Sequence, residues 1–489
     1  MDRRVADKTR ELKSSGAGPC PAVALFNSFL TPTLATIACV LASLMTMTTG
    51  CSGSAENRVR KMLVSQLTGT IRLPSGVIEV SSELKLAPGA HDLEIIGSAT
   101  LPRAADGFEG RAIIVGEGVS RIALRDISME GSRFTMGKPQ EMAPPENAFR
   151  IFYHDNGVLF DRAEGLDLTE LHFSSISGFA ILVSRSSAIR IARAQVEDSG
   201  SLDAKGRNNS TGGILIEEGS SNFEVRDSTL RRIHGNGVWT HSLFSSPRLQ
   251  DGVISNNRFD TIGRDAIEIG HATRVRVEHN TGTRIGFPVD VVDVEHGGTP
   301  VTIDTAGNVD HSLYASNKFD DVNGKCIDLD GFHDGTVRGN QCINRRGPQD
   351  YPSGHFGIVM NNTDPNAQPV NIEIADNIID GTKFGALFLM GSNNRVTGNT
   401  FTHINTAECH ENAAKFGCVY KTDEPKMLES GIYLGRGVAR MVETRGNVIR
   451  GNKISGHKMK TRCIAAGPGV SLAANSIGPN TCEDYSTAR

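Results

Sequence analysis

Residues 254–286 read ISNNRFDTIGRDAIEIGHATRVRVEHNTGTRIG. The stretch holds two copies of one pattern: an apolar-x-apolar strand, an Asn, and a second short strand that ends in Gly. The pattern returns downstream as YASNKFDDVNG, VRGNQCINRRG, IADNIIDGTKFG, VTGNTFTHIN, IRGNKISG and LAANSIG. Its asparagines are Asn257, Asn280, Asn317, Asn340, Asn377, Asn399, Asn452 and Asn475. Four adjacent pairs lie 23, 23, 22 and 23 residues apart, and gaps of 37 read as one coil plus an insertion. A fixed period of this kind is the signature of a repeat architecture.

Three strands and three turns fit into ~22 residues at ~3.3 Å per strand residue, with coils stacked ~4.8 Å apart. An Asn repeated at a turn can hydrogen-bond to its counterpart in the next coil and satisfy turn amides. Five-residue strands with β-branched content and frequent Gly argue against a helical repeat. The predicted fold is therefore all-β: a single right-handed parallel β-helix. Upstream segments such as IALRDISMEG, LDLTELHFSSISG and FEVRDSTLRRIHG keep the rhythm without the Asn.

Residues 57–69 (NRVRKMLVSQLTG) read as a short amphipathic helix that caps the exposed end of the core. Ahead of it lie Arg3, Arg4, Lys8, Arg10 and Lys13, an apolar stretch from about Leu34 to Met45, and Gly50-Cys51. That order suits a targeting segment whose apolar part is too short for a membrane span. It resembles a bacterial lipoprotein signal with Cys51 as the lipidated residue, although Thr48 stands where an aliphatic residue is usual. The expected organisation is a leader at 1–51, a linker and helical cap at 52–69, and the β-helix at 70–489. The expected location is outside the cytoplasm, as a periplasmic or surface lipoprotein or a secreted protein.

The net charge of −4 over 489 residues is near balance, and no basic stripe carries interleaved aromatics, so a nucleic-acid partner is not expected. Six cysteines (Cys326, Cys342, Cys409, Cys418, Cys463, Cys482) lie in the C-terminal third, an even number that permits disulfides in an exported protein. Cys409–Cys418 is the favoured pair because both fall in one loop. No CxxC spacing occurs, so zinc is not expected.

Candidate functional residues come from the strand after each Gly-ending turn: GVWTH, AIEIG, VDVVD, IDLDG, GIVMN, GALFL and GIYLG. Alternate residues point outward. One outward column reads Trp239, Glu268, Asp290, Asp328, Val359, Leu387 and Tyr433, and a second, two residues on, carries Glu217, His241, Asp330 and Asn361. Glu268, Asp290, Asp328 and Asp330 are the expected catalytic carboxylates. Crowded acids raise one another's proton affinity, which sets a general acid beside a base. Glu268, Asp290 and Asp328 could instead hold Ca²⁺ through oxygen ligands. Trp239 and Tyr433 are candidate stacking surfaces for sugar rings, His241 and His355 candidate proton shuttles or substrate contacts, and Arg264 and Lys325 candidate ligands for an acidic sugar or ion-pair partners of the acids. Insertions at about 295–311, 345–355 and 405–429 are expected to wall a groove.

Residues 70–480 resemble the pectin-lyase-like superfamily of right-handed β-helices, which includes polysaccharide lyases, polygalacturonase-type hydrolases and alginate epimerases. The polygalacturonase pattern has NTD, DD, GHG and RIK; this sequence has RDAIE, IDLDG and GFHDG but neither GHG nor RIK, and only GFHDG approaches the epimerase DPHD. No catalytic residue is carried over on that basis. The resemblance and the column together point to a polysaccharide partner and a glycan-cleaving enzyme, hydrolase ahead of lyase. A glycan-binding or adhesin-like solenoid and a uronate epimerase are the alternatives.

Overall fold

A computed structural model describes residues 55–485, apart from 133–138, 145, 293–298, 365, 409–426, 428, 438–439, 460 and 461. Two compact units divide the chain, Met1–Cys51 and Ser52–Arg489. The expected leader and Cys51 therefore lie outside the described residues, as do Cys409 and Cys418.

Among the described residues, thirty-seven strands wind through the second unit and pair in parallel with the strands one coil before and after. Each coil contributes to three sheets. Sheet A runs through Phe179–Ser184, Gly212–Glu217, Val238–His241, the first part of Ile267–Glu278, Val301–Asp310, Lys325–Asp330, Ile358–Asn361, Leu387–Leu389 and Ile432–Leu434. Sheet B includes Ser221–Arg226, Leu249–Ser255, Leu313–Ala315 and Thr336–Arg338. Sheet C includes Thr229–Ile233, Arg258–Ile262, Thr281–Ile285 and Lys318–Val322. Inward Ile, Val, Leu and Phe from all three make one core, in which Ile216, Val225, Ile254, Phe259, Ile267, Val277 and Ile327 are fully buried. Burial of such side chains contributes ~1.5–3 kcal/mol each, which is what holds the coils together.

The turn from sheet B to sheet C carries the expected asparagine ladder. Each Nδ2 donates to the next Oδ1 at 2.9–3.0 Å, from Asn257 through Asn280, Asn317, Asn340, Asn377, Asn399 and Asn452 to Asn480. The same Oδ1 accepts the backbone N–H of the preceding rung, at 3.0 Å for Asn257 and 3.1 Å for Asn317. The residue before the Asn takes the left-handed conformation at every rung except Asn480, which follows Pro479; Asn256, His279, Ser316 and Asp376 do so without being glycine. Asn475 belongs elsewhere: with Asn394 and Asn447 it forms a second, shorter ladder at the turn into sheet B. LAANSIG resembles the motif, but the eighth rung is filled five residues later.

A helix over residues 55–65 buries Val59 and Leu63 against the first coils. Arg60 donates to the carbonyls of Ser82 and Glu83, and Ala87 N to Leu63 O at 3.0 Å, so the helix covers the end of the core. At the other end a disulfide joins Cys463 to Cys482, while Cys326 and Cys342 are buried free thiols.

Candidate functional site

The register of sheet A fixes the outward column as Leu215, Trp239, Glu268, Asp304, Asp328, Val359, Phe388 and Tyr433. Two positions differ from the sequence reading. Asp304 replaces Asp290, because Val301–Asp310 and not VDVVD is the strand of that coil. Asp290 sits exposed in a single 3-10 turn, Val289–Val291. The reason is local. In this sheet the residue two before the acid donates to the next coil, as Ala266 N does to Val301 O at 3.0 Å. Pro288, which would hold that place before Asp290, has no N–H. Phe388 replaces Leu387, whose side chain turns into the core. The expected 295–311 insertion shrinks accordingly, since 301–310 belongs to the coil.

Asp265, Glu268 and Asp304 bring carboxylate oxygens within 4.8 Å of one another. Asp265 stands on the turn ahead of the strand, where Oδ1 accepts Val301 N at 2.8 Å. Asn236 Nδ2 donates to Glu268 Oε2 at 2.6 Å, and its Oδ1 accepts Asp265 N at 3.2 Å. Burial, and then the Asp265 charge, push the Glu268 carboxyl far above the ordinary range. Asp304 is raised by burial and by Asp265, Asp328 and Glu268. Asp265 is raised as well, chiefly by burial, with Arg264 opposing. Asp328 lies in line with Asp304 on the next coil and forms an ion pair with Lys325. Four acids thus share one patch, two of them strongly proton-holding and one with a cation beside it.

The second column is interrupted where it passes this patch. Glu217, His241, Asp330 and Asn361 occupy it elsewhere, but Gly270 and Ala306 stand beside Glu268 and Asp304. A Cβ at Gly270 would come within 2.7 Å of Thr240 O, so only glycine fits there. That column therefore carries nothing larger than the Ala306 methyl beside Glu268 and Asp304.

A strap formed by residues 139–153 closes the upstream side. Phe149 and Tyr153 pack with Leu159, Phe179, Leu182, Leu215 and Trp239 in a separate apolar cluster. The strap is pinned by Glu217, whose Oε2 accepts Phe149 N at 2.8 Å and whose Oε1 accepts Arg150 N at 2.9 Å. Burial raises Glu217 to about 7, against the pull of those two amides. Trp239 is consequently only 5 % exposed and packs on Phe149, with ring centroids 4.7 Å apart. It is not an open stacking surface. His241 stacks on Phe149 at 4.0 Å, and burial lowers it to about 4, so the ring is neutral and structural at neutral pH.

The remaining candidates divide in the same way. Tyr433 is fully buried, stacked on Phe388 beside Phe356 and Met427. His355 lies between Phe356 and Phe384, and burial holds it well below the ordinary imidazole range. Asp330 accepts Thr363 N at 2.7 Å and Thr363 Oγ1 at 2.6 Å, anchoring a turn outside the acid cluster. Arg264 reaches Met142 Sδ on the strap at 3.4 Å while its charge favours the anions of Asp265 and Glu268. Lys325, Asp328, His355, Phe356, Val359, Asn361 and Phe388 help line a pocket of about 150 Å³ on the downstream side. A hard divalent cation would be held by Asp265, Glu268 and Asp304; Asp290, exposed in its 3-10 turn off the sheet, is not one of them.

Residues 147–305 and 301–484 match the family model described as the right handed beta helix region. The chain belongs to that family. Among solved structures, this right-handed β-helix protein is similar to a DFA-IIIase from Arthrobacter chlorophenolicus A6 solved without its lid, at 10% identity over 72% of this chain and 91% of that one, TM-score 0.50. It is also similar to a polygalacturonase from Erwinia carotovora, at 14% identity over 70% and 93%, TM-score 0.49. A Streptococcus pneumoniae surface adhesin, PfbA, aligns at 10% identity over 85% and 92%, TM-score 0.43. No curated protein matches the sequence. At these identities the likeness is one of fold alone.

Proposed function

We propose that the protein is a glycoside hydrolase whose centre is Glu268, Asp304 and Asp328. The supporting observation is the clustering of Asp265, Glu268 and Asp304 within 4.8 Å beside an Asp328 that is paired with Lys325. Glycoside hydrolysis needs one carboxyl that still holds its proton to protonate the leaving oxygen, and one carboxylate to act on water or the sugar. Burial and mutual repulsion at Glu268 and Asp304 supply the first. Asp328, with its positive partner, supplies the second. Backbones of Glu268 and Asp328 are two coils, ~9.6 Å, apart, which leaves room for a water between them.

A neutral glycan fits the patch better than a polyuronate. A lyase must neutralise the substrate's carboxylate, yet both cations here already stand against acids: Lys325 pairs with Asp328, and the Arg264 charge lies beside Asp265 and Glu268. The reading includes export, with lipid attached at Cys51, on the strength of the leader sequence alone; mass spectrometry of the mature N-terminus in membrane fractions checks it, and an intact Met1 on cytoplasmic protein would remove it.

The central experiment offers purified protein a panel of neutral and uronate polysaccharides. New reducing ends from a neutral glycan, unaffected by chelator, support the proposal. Unsaturated uronate products would replace it with a lyase, and activity abolished by chelator and restored by Ca²⁺ would assign the acid cluster to a metal instead of to proton transfer. Tight binding without cleavage would make the solenoid a binding protein.

A further inference from the structure

Phe244 carries an observation that the carboxylates do not explain. Among the described residues it is the one aromatic in the set of exposed large apolar side chains, 69% exposed. It stands on the short loop after the strand Val238–His241. Its ring meets His271 edge-on, with centroids 5.2 Å apart, and lies over Gly307, where a Cβ would approach the ring to 3.1 Å. Gly307 has φ +85, so a larger residue would be both strained and crowded there. Through His271 the exposed ring stands three residues along the strand from Glu268.

The loop that carries it is held by a largely buried carboxylate. Glu218 accepts Leu243 N at 2.9 Å and the Ser246 hydroxyl, and Ser242 Oγ accepts Gly219 N at 3.0 Å. Glu217 and Glu218 are thus consecutive anchors: the first fixes the strap against Trp239, the second fixes Phe244 on the other flank. Leaving a phenyl ring in water gains nothing for folding, since its burial would contribute ~1.5–3 kcal/mol. Fixing it there makes sense when a ligand completes its contacts. A rigid, exposed aromatic face suits the apolar face of a pyranose or furanose ring.

We infer that Phe244 is the stacking platform of a sugar-binding subsite beside the acid cluster, and that Glu218 is its positioning residue. The inference rests on the hydrolase reading and adds a direction to it. With the upstream side closed by the strap, the glycan lies along the strands, from the acid cluster past Ala306 to Phe244.

The test uses the oligosaccharide that the wild type degrades fastest in the panel above, with binding measured by calorimetry in an Asp304→Asn background. Phe244→Ala is expected to weaken binding about tenfold and to raise KM, while Phe244→Trp keeps affinity within about threefold of Phe244 or better. Glu218→Ala is expected to weaken binding as Phe244→Ala does, and Glu218→Gln to restore much of it, because one acceptor oxygen remains. Val77→Ala, an exposed apolar change in the first coils, controls for nonspecific effects and should leave binding unaltered. Unchanged affinity and KM in Phe244→Ala, alongside normal cleavage by the wild type, would overturn the subsite and spare the hydrolase. Neither cleavage nor binding of any glycan by the wild type would overturn both.

Discussion

Glu268 and Asp304 face each other in register on adjacent parallel strands, with Asp265 reaching over both from the preceding turn. Two acids at one coil spacing, out of water, cannot both be ionised without a large electrostatic cost. A shared proton is the consequence, and it is available to a leaving group.

Replacing Glu268 by Gln, Asp304 by Asn or Asp328 by Asn should lower turnover by a factor on the order of 10²–10⁴, the usual contribution of general acid–base help. Thermal stability should hold or rise for Glu268→Gln and Asp304→Asn, since each removes a buried like-charge neighbour. The paired Asp328→Asn leaves Lys325 half-buried without its anion and should lower the melting temperature. Kinetics and calorimetry on the same three variants separate the two effects. Asp290→Asn should alter neither.

Glu217 makes the fold pH-dependent. Its carboxyl holds a proton more tightly folded than unfolded, moving from 4.5 to about 7 through burial. The stabilisation is complete below about pH 4.5 and is lost as pH rises to about 7. At ~1.4 kcal/mol per pH unit the loss is on the order of 3 kcal/mol. Urea unfolding across that window should show the decline in wild type and a flatter profile in Glu217→Gln. Equal slopes would remove Glu217 as the cause.

The single Trp gives a direct view of the strap. Trp239, packed under Phe149, should emit at short wavelength and resist acrylamide quenching. Phe149→Ala should shift the emission red and open the ring to quencher. An emission already typical of a solvated indole in the wild type would show that the strap is not closed in solution.

The sequence made much of this legible and hid the rest for identifiable reasons. Asn spacing reports stacking directly, because the ladder demands one amide per coil at the same turn. Glu268 and Asp328 were readable from strand alternation alone. Asp304 was not, because VDVVD imitates the alternation of VTIDT; the discriminating signal is Pro288, which cannot donate to the next coil. Burial of Trp239 and Tyr433 was not readable either. Outward residues become buried only when another segment lies over them, and the strap arrives from some ninety residues upstream of Trp239. Phe244 gave no periodic signal, because it sits in a loop outside the repeat.

Removing one rung tests the ladder. Asn317→Ala deletes the donors to Asn340 Oδ1 and Val277 O and strands the Asn280 amide that it accepts. Buried groups left without partners should cost about 2–4 kcal/mol, read as a fall in the urea midpoint. Asn475→Ala, at the half-exposed end of the shorter ladder, should cost less than half as much.

That ladder also separates what the molecule can vary from what it must keep. Successive rungs are 23, 37, 23, 37, 22, 53 and 28 residues apart in the chain, yet every amide spans the same 2.9–3.0 Å to its neighbour. Coil pitch is thus indifferent to how much polypeptide leaves and rejoins between rungs. The scaffold behaves as a ruler with interchangeable attachments, on which loops can be lengthened, exchanged or grafted around the acidic patch while the spacing of Glu268, Asp304 and Asp328 stays fixed.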